Sequence, residues 1–299
     1  MNKYILYKLK MEEKKILNGK NIANEILKSL DSQIVYYKNL GENIGLKIIL
    51  IGENTASLIY TERKIKVANS IGIDAKLIKL SENTTFQEIK IIIDELNLDK
   101  DTHGIIVQLP LPKTLNAIDI CNLIHYKKDI DGLSFENAGK LQLGFRGEYF
   151  HKPCTPSGCI YLLEKYNIDL QGKKCLIINR SNIVGKPLFH LLIEKNAFVQ
   201  IAHSKVKNLN DVILDSDVIF SATGNNNFIT RDMIKNDAIL IDIGITKNID
   251  GKICGDINFH SCFDKASFIT PVPGGIGPMT IAFLMQNIVN VKKYFGNNL

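Results

Sequence analysis

The stretch Ser57-Leu-Ile-Tyr60-Thr-Glu-Arg-Lys64 spaces a hydroxyl, a phenol and an amine three and four residues apart, so on an α-helix Ser57, Tyr60 and Lys64 share one face. A tyrosine and a lysine so placed can act as an acid–base pair where burial lowers a lysine's pKa, whereas an exposed Lys–Tyr pair is the ordinary alternative. Gln108 ends the apolar run Gly104-Ile-Ile-Val-Gln108 and is followed by Leu109-Pro-Leu-Pro112. That places a neutral amide at the carboxyl end of a strand, where ligands bind in open α/β sheets. Lys128-Asp-Ile-Asp-Gly132 offers two carboxylates, Asp129 and Asp131, whose ordinary use is a turn and cap and whose other use is to hold a ligand.

A second set of residues suits an anion. The apolar run Lys174–Asn179 leads into Arg180-Ser-Asn-Ile-Val-Gly185-Lys-Pro187, where a dinucleotide fold would place its phosphate loop. The Gly-x-Gly-x-x-Gly pattern is absent. One glycine at the turn, free backbone amides and a proline in the first helical turn can still bind an anion, although a plain strand-turn-helix has the same appearance. The next strand ends in His203-Ser204-Lys205-Val206-Lys207 with no carboxylate to take ribose hydroxyls. Arg180, Ser204 and these lysines fit a 2′-phosphate, which favours NADP over NAD; a solvated basic turn is the competing reading. Ala222-Thr223-Gly224 and Asp242-Ile243-Gly244 put small residues at two further strand ends.

The elements that must position these groups form an α/β pattern. The chain has 299 residues, 45% hydrophobic and 23% charged, which excludes disordered and fibrous classes and favours two domains over one. Strands are expected at Leu46–Ile51, Ala75–Leu80, Gly104–Gln108, Lys174–Asn179, Val199–His203, Val218–Ala222 and Ala238–Ile243. Helices are expected at Gly19–Leu40, Ala56–Ser70, Thr85–Asn97 behind the capping box Thr85-x-x-Glu88, Pro156–Tyr166 capped by Thr155, Gly185–Lys195 and Thr280–Tyr294. Strands this apolar are covered on both faces, as in a parallel sheet. The expected architecture is two α/β lobes flanking a cleft.

The remaining composition is restrictive in fewer ways. A formal net charge of +6 comes from lysines scattered along the chain, which marks a solvated surface rather than a nucleic-acid stripe. The apolar run Met279–Val291, broken by Gln286, Asn287 and Asn290, falls short of the ~20 residues of a membrane span. The six cysteines contain no Cys-x-x-Cys pair and no His at zinc-ligand spacing, so they read as reduced and no metal is expected. Met1–Glu13 lacks the apolar core of a secretory signal, which points to the cytosol.

Taken with Pro153-Cys-Thr-Pro-Ser-Gly158 and Pro271-Val-Pro-Gly-Gly-Ile-Gly-Pro-Met-Thr280, these motifs make the chain from about Lys15 to Tyr294 resemble the bifunctional methylenetetrahydrofolate dehydrogenase/methenyltetrahydrofolate cyclohydrolase (FolD-type) family. The resemblance implies a folate domain over residues 1–149, completed by 280–299, and a Rossmann-like NADP domain over 150–279. It implies that Lys64 is the key cyclohydrolase residue, that Tyr60 packs on the folate, that Gln108 tunes the lysine and that Asp131 holds the pterin. Leu109, Pro271, Gly274, Gly275 and Pro278 would complete the substrate site. Asn179, Arg180, Ser181, Val184, Gly185, His203, Ser204, Ala222, Thr223, Gly224, Gly244 and Ile245 would bind the cofactor. A homodimer formed through the cofactor domain is also implied. The chain departs from the family at Asn179, where glycine is usual, at Asn225-Asn226-Asn227, where proline is usual, and in its N-terminal extension, which makes Met11 an alternative start. Two other functions fit the scaffold: a monofunctional NAD(P)-dependent dehydrogenase, opposed by the presence of both Tyr60 and Lys64, and a non-enzymatic folate- or nucleotide-binding regulator, which needs no lysine beside Gln108.

Overall fold

A computed structural model describes residues 15–248 and 250–296 of the chain. The expectations for Met1–Glu13, the missing signal and the start at Met11, lie outside the described residues. The chain divides into two compact units, one of Asn24–Cys154 with Ile281–Leu299, the other of Thr155–Thr280 with the residues through Ala23. The stretch before Asn24 groups with the latter rather than with the expected first domain because Leu17 N–H donates to Ile269 O at 2.9 Å and Lys20 N–H to Gly274 O at 2.8 Å.

The first unit is built on three parallel strands, β1 (Gly45–Ile51), β2 (Asp74–Leu80) and β3 (Gly104–Val107), in the order β2-β1-β3. Strand alternation sends Leu46, Ile48 and Ile106 into one buried cluster with Leu284, Met285 and Ile288, and Ile49, Ile51, Ile105 and Val107 into another with Ile89 and Ile93. Coverage on both faces is why β1 reads as an unbroken apolar run. The sheet order reverses at β1, so the carboxyl ends of β1 and β3 form the switch point where ligands lie in such sheets. The Phe86–Leu98 helix carries the expected capping box between Thr85 and Glu88.

The second unit holds five parallel strands, β4 (Lys174–Ile178), β5 (Phe198–Ala202), β6 (Val218–Ser221), β7 (Ile239–Asp242) and, after the antiparallel pair β8 (Thr246–Lys247) and β9 (Ile253–Cys254), β10 (Phe268–Ile269). Their order is β10-β7-β6-β4-β5, which puts the switch point between β4 and β6. Leu176, Ile178, Ile219 and Leu240 face one buried cluster, while Cys175, Ile177, Phe220 and Ile241 are buried as well.

Two helix starts differ from the sequence expectation. The helix expected after Thr155 begins at Cys154, and Thr155 lies inside it with its hydroxyl 2.8 Å from that of Thr280. The last helix spans Ile276–Phe295 rather than starting at Thr280. In both, a proline (Pro156, Pro278) stands as the third helical residue, where the missing N–H has no intrahelical acceptor to lose.

In the three-stranded unit one polar side chain ties this last helix to the loops beside the sheet. Buried Asn287 donates from Nδ2 to Ile130 O at 2.8 Å and Lys152 O at 3.2 Å, and its Oδ1 accepts from the Tyr149 hydroxyl at 3.2 Å. Asn287→Ala leaves these groups without partners and is expected to cost roughly 1–3 kcal/mol, the range for orphaning buried polar groups. Urea unfolding measures it, and an unchanged midpoint would show that the three groups find other partners.

Candidate active site

The Thr55–Ser70 helix starts where β1 ends because Asn54 caps it, accepting from Ser57 N–H at 2.9 Å. Its buried face is Ser57, Thr61, Lys64 and Ala68, and Lys64 is only 5% exposed. An amine carried that far inside needs an acceptor, and β3 supplies one. Lys64 Nζ donates to Gln108 Oε1 at 3.1 Å, and Thr61 Oγ1 donates to the same oxygen at 3.5 Å. Gln108 cannot turn its amide around freely: its backbone N–H donates to Ile49 O at 2.9 Å and its Nε2 to Leu109 O at 2.7 Å. Tyr60 lies alongside with its ring centroid 5.2 Å from Lys64 Nζ, so amine, amide and phenol ring meet at the carboxyl ends of β1 and β3.

The two candidate carboxylates separate. Asp129 is fully used by the fold: its Oδ2 accepts from Ser134 N–H at 2.7 Å and Asn137 Nδ2 at 2.9 Å, while Gly132 N–H donates to its carbonyl at 3.0 Å. This is the turn-and-cap use. Burial is the main influence holding both carboxyls above the ordinary carboxylate range, and at Asp131 the Lys64 cation pulls back down. The Cys154 thiol, which donates to Ile130 O at 3.4 Å, is raised well above the normal thiol range by burial first and then by the Asp131 charge. Asp131 is therefore the carboxyl of the pair left over from turn formation and electrostatically in reach of Lys64.

Thr61, Cys154 and Asn287 were passed over in the sequence. Thr61 could have been found from the buried period Ser57, Thr61, Lys64, Ala68, and Asn287 as an amide set in an otherwise apolar helix. Cys154 carries no comparable signal.

In the five-stranded unit Asn179 organises the loop after β4. Its Oδ1 accepts from Ser181 N–H (2.8 Å), Ser181 Oγ (2.7 Å) and Gly185 N–H (3.1 Å), and its Nδ2 donates to Ala222 O at 2.7 Å. Thus the residue that departs from the usual glycine bridges β4 and β6 at the switch point. Val184 precedes the Gly185–Ile193 helix and donates its N–H to Ser181 Oγ at 3.1 Å. Gly185 has to be glycine, since a Cβ there would stand 2.3 Å from Asn179 O. Arg180, Ser204, Lys205 and Lys207 are exposed beyond the ends of adjacent strands β4 and β5, with no acidic residue from His203 to Lys207. His203 Nδ1 accepts from Lys205 N–H at 3.2 Å. This donor set fits a phosphorylated ribose, cationic and hydroxylic with no competing carboxylate.

Thr223 N–H and Gly244 N–H are taken by buried Asp256 and Asp242, whereas Gly224, at φ 73°, has open space around it and Ile245 is exposed. Pro271, Gly274, Gly275 and Pro278 belong to this same unit, with Gly275 packed against Gly19. Among the described residues no group of three or more His, Cys, Asp or Glu could hold a metal ion, and no helix is long and apolar enough to cross a membrane.

Comparison with known proteins matches both parts of the chain. Residues 17–131 match the family model for the tetrahydrofolate dehydrogenase/cyclohydrolase catalytic domain, and residues 153–295 that for its NAD(P)-binding domain. The bifunctional protein FolD of Agathobacter rectalis is 42% identical over 278 residues, covering 93% of this chain and 99% of its own length. The crystal structure of the bifunctional methylenetetrahydrofolate dehydrogenase/cyclohydrolase of Campylobacter jejuni superposes with a TM-score of 0.90 at 41% identity, covering 95% of this chain and 99% of that one. The Trypanosoma brucei enzyme, solved with NADP cofactor and inhibitor, gives a TM-score of 0.88 at 30% identity over 93% of this chain and 97% of its own.

The pull of Lys64 on Asp131 can be measured directly. With the cation removed in Lys64→Met, the Asp131 carboxyl should titrate at higher pH than in the unaltered protein, because burial then acts with less opposition. Side-chain carboxyl carbon shifts followed by NMR across the titration would reveal it, and an unmoved midpoint would separate the two residues electrostatically.

Proposed function

The chain belongs to the tetrahydrofolate dehydrogenase/cyclohydrolase family, and on that premise we propose how its residues divide the work. It is a bifunctional enzyme that oxidises 5,10-methylenetetrahydrofolate to the 5,10-methenyl form with NADP⁺ and hydrolyses that product to 10-formyltetrahydrofolate. The observation that carries the residue assignment is the buried Lys64–Gln108 hydrogen bond beside the Tyr60 ring.

Water attack on the methenyl bridge places a proton that must be removed and returns one to the departing ring nitrogen. Lys64 Nζ is the group assigned to that traffic. Gln108 presents its carbonyl to the amine and so aims it, while Thr61 helps hold the amide. Tyr60 offers a face for the flat folate, and Asp131 has the lone pairs to accept paired N–H bonds from a pterin. Leu109, Pro271, Gly274, Gly275 and Pro278 are proposed to line the remaining substrate surface. The folate domain is assigned to residues 1–149 with 280–299 and the cofactor domain to 150–279, save that Lys15–Ala23 groups with the cofactor domain.

When bound, NADP⁺ supplies the hydride acceptor for the oxidation. Arg180 and Ser204, from the ends of β4 and β5, are assigned to its 2′-phosphate, while Ser181, Val184 and Gly185 with Asn179 shape the loop. His203, Ala222, Thr223, Gly224, Gly244 and Ile245 complete the assigned cofactor surface. A cytosolic homodimer is proposed as the working form, which equilibrium sedimentation would test. The monofunctional dehydrogenase alternative leaves the Lys64–Gln108 pair without a task.

Lys64→Met should abolish most cyclohydrolase turnover, a loss on the order of 10²–10⁴-fold for one acid–base group, and leave measurable dehydrogenase activity. Following NADPH and methenyl-folate absorbance together separates the reactions; equal losses in both would make Lys64 a folate-positioning residue alone. Arg180→Ala should raise the KM for NADP⁺ far more than that for NAD⁺, and equal effects on the two would remove Arg180 from the 2′-phosphate.

A further inference from the structure

Two buried carboxylates in the five-stranded unit have no task in the assignments above. Asp256 is fully buried, and its Oδ2 accepts from Ser221 Oγ at 2.7 Å and from Thr223 N–H at 2.5 Å. Asp242, also buried, accepts on Oδ1 from Gly244 N–H and Asp256 N–H, both at 3.0 Å, and on Oδ2 from Ile257 N–H at 2.8 Å. The two strands of chain interlock. A Cβ on Gly244 would lie 2.0 Å from Asp256 Oδ1, and one on Gly255 would lie 2.0 Å from Asp242 Oδ2. Asp256 Oδ1 is itself buried without a hydrogen-bond partner.

Burying acidic groups this way is costly, and packing alone could be met with apolar side chains. What the pair accomplishes that apolar residues could not is specific: it takes hold of the backbone of the two turns that leave β6 and β7, Ala222-Thr-Gly224 and Ile243-Gly244. Those turns stand at the carboxyl ends of β6, which borders the switch point, and of β7 next to it. With Thr223 N–H and Gly244 N–H spent on carboxylates, the turns meet a ligand with a fixed shape rather than with competing donors.

We propose that Asp256, supported by Asp242, is a positioning residue for the dinucleotide, acting through Ser221, Thr223 and Gly244 rather than by contact with the cofactor. The proposal rests on the reading that this unit binds NADP⁺ there. Its role is confined to the oxidation, because Lys64 and Gln108, the groups assigned to proton transfer in the hydrolysis, belong to the other unit.

The test compares Asp256→Ala, Ser221→Ala and Arg180→Ala with the unaltered enzyme by titration calorimetry of NADP⁺ and by hydrolysis of methenyltetrahydrofolate without NADP⁺. Asp256→Ala should weaken NADP⁺ binding about tenfold, the effect of losing charge-assisted hydrogen bonds, with hydrolysis within about twofold of normal. Ser221→Ala removes one donor without touching the carboxylate; it should show the same pattern at a few-fold and decides the matter if Asp256→Ala does not fold. NADP⁺ affinity unchanged in both while Arg180→Ala weakens it would overturn the positioning role. So would hydrolysis falling in step with NADP⁺ affinity, which marks a general loss of structure. If Arg180→Ala also leaves NADP⁺ affinity unchanged, the placement of the cofactor is wrong and the proposal falls with it.

Discussion

An amine inside a protein must be given an acceptor, and the acceptor offered to Lys64 is an amide whose direction is set by a strand. Gln108 sits one residue past β3, its backbone still paired to β1 and its Nε2 held by the next carbonyl. The Lys64–Gln108 bond therefore joins the helix that follows β1 to the end of β3, across the switch point of the sheet. Much of the three-stranded unit serves that junction. Asn54 starts the helix at the right residue, Thr61 steadies the amide, and two apolar clusters fix the strand on both faces. The role proposed for Lys64 needs an amine excluded from bulk water yet aimed, and this arrangement meets both demands.

The neighbouring Asp129 and Asp131 illustrate how a fold allots similar groups to different uses. Both carboxyls are raised mainly by burial, yet one is saturated by Ser134 and Asn137, which makes it part of the turn. The other keeps lone pairs and feels the Lys64 charge. Spacing in the chain treats them alike; only the local hydrogen bonds divide the carboxylate spent on the turn from the one proposed to hold the substrate.

In the five-stranded unit the surface proposed for the cofactor is shaped from behind. Asn179 ties the β4 loop to the end of β6, and Asp256 and Asp242 tie the β6 and β7 turns to the segment after β9. None of these side chains replaces the missing glycine-rich fingerprint by sequence likeness. Each does so by satisfying backbone groups that a loop without regular structure would otherwise leave unpaired. The Asn179 departure thus has a local explanation: its amide collects the Ser181 and Gly185 N–H groups into one turn.

What the sequence determined by itself was the α/β alternation, the strands, most helix bodies, and the candidacy of Tyr60, Lys64, Gln108, Arg180 and Ser204. Those features are local: strand and helix periods, a capping box, and residue types standing at the ends of apolar runs. The helix starts at Cys154 and Ile276 were missed because a proline in a first turn is compatible with more than one starting residue. Only the tertiary structure decided that Lys64 meets Gln108, that Asp129 is consumed by its turn, that Asn287 holds loops far away in the chain, and that Asp256 grips Thr223. The reason is physical. Whether a polar side chain is structural or available depends on which buried donors and acceptors the fold brings to it, and those partners lie up to 157 residues away in the chain.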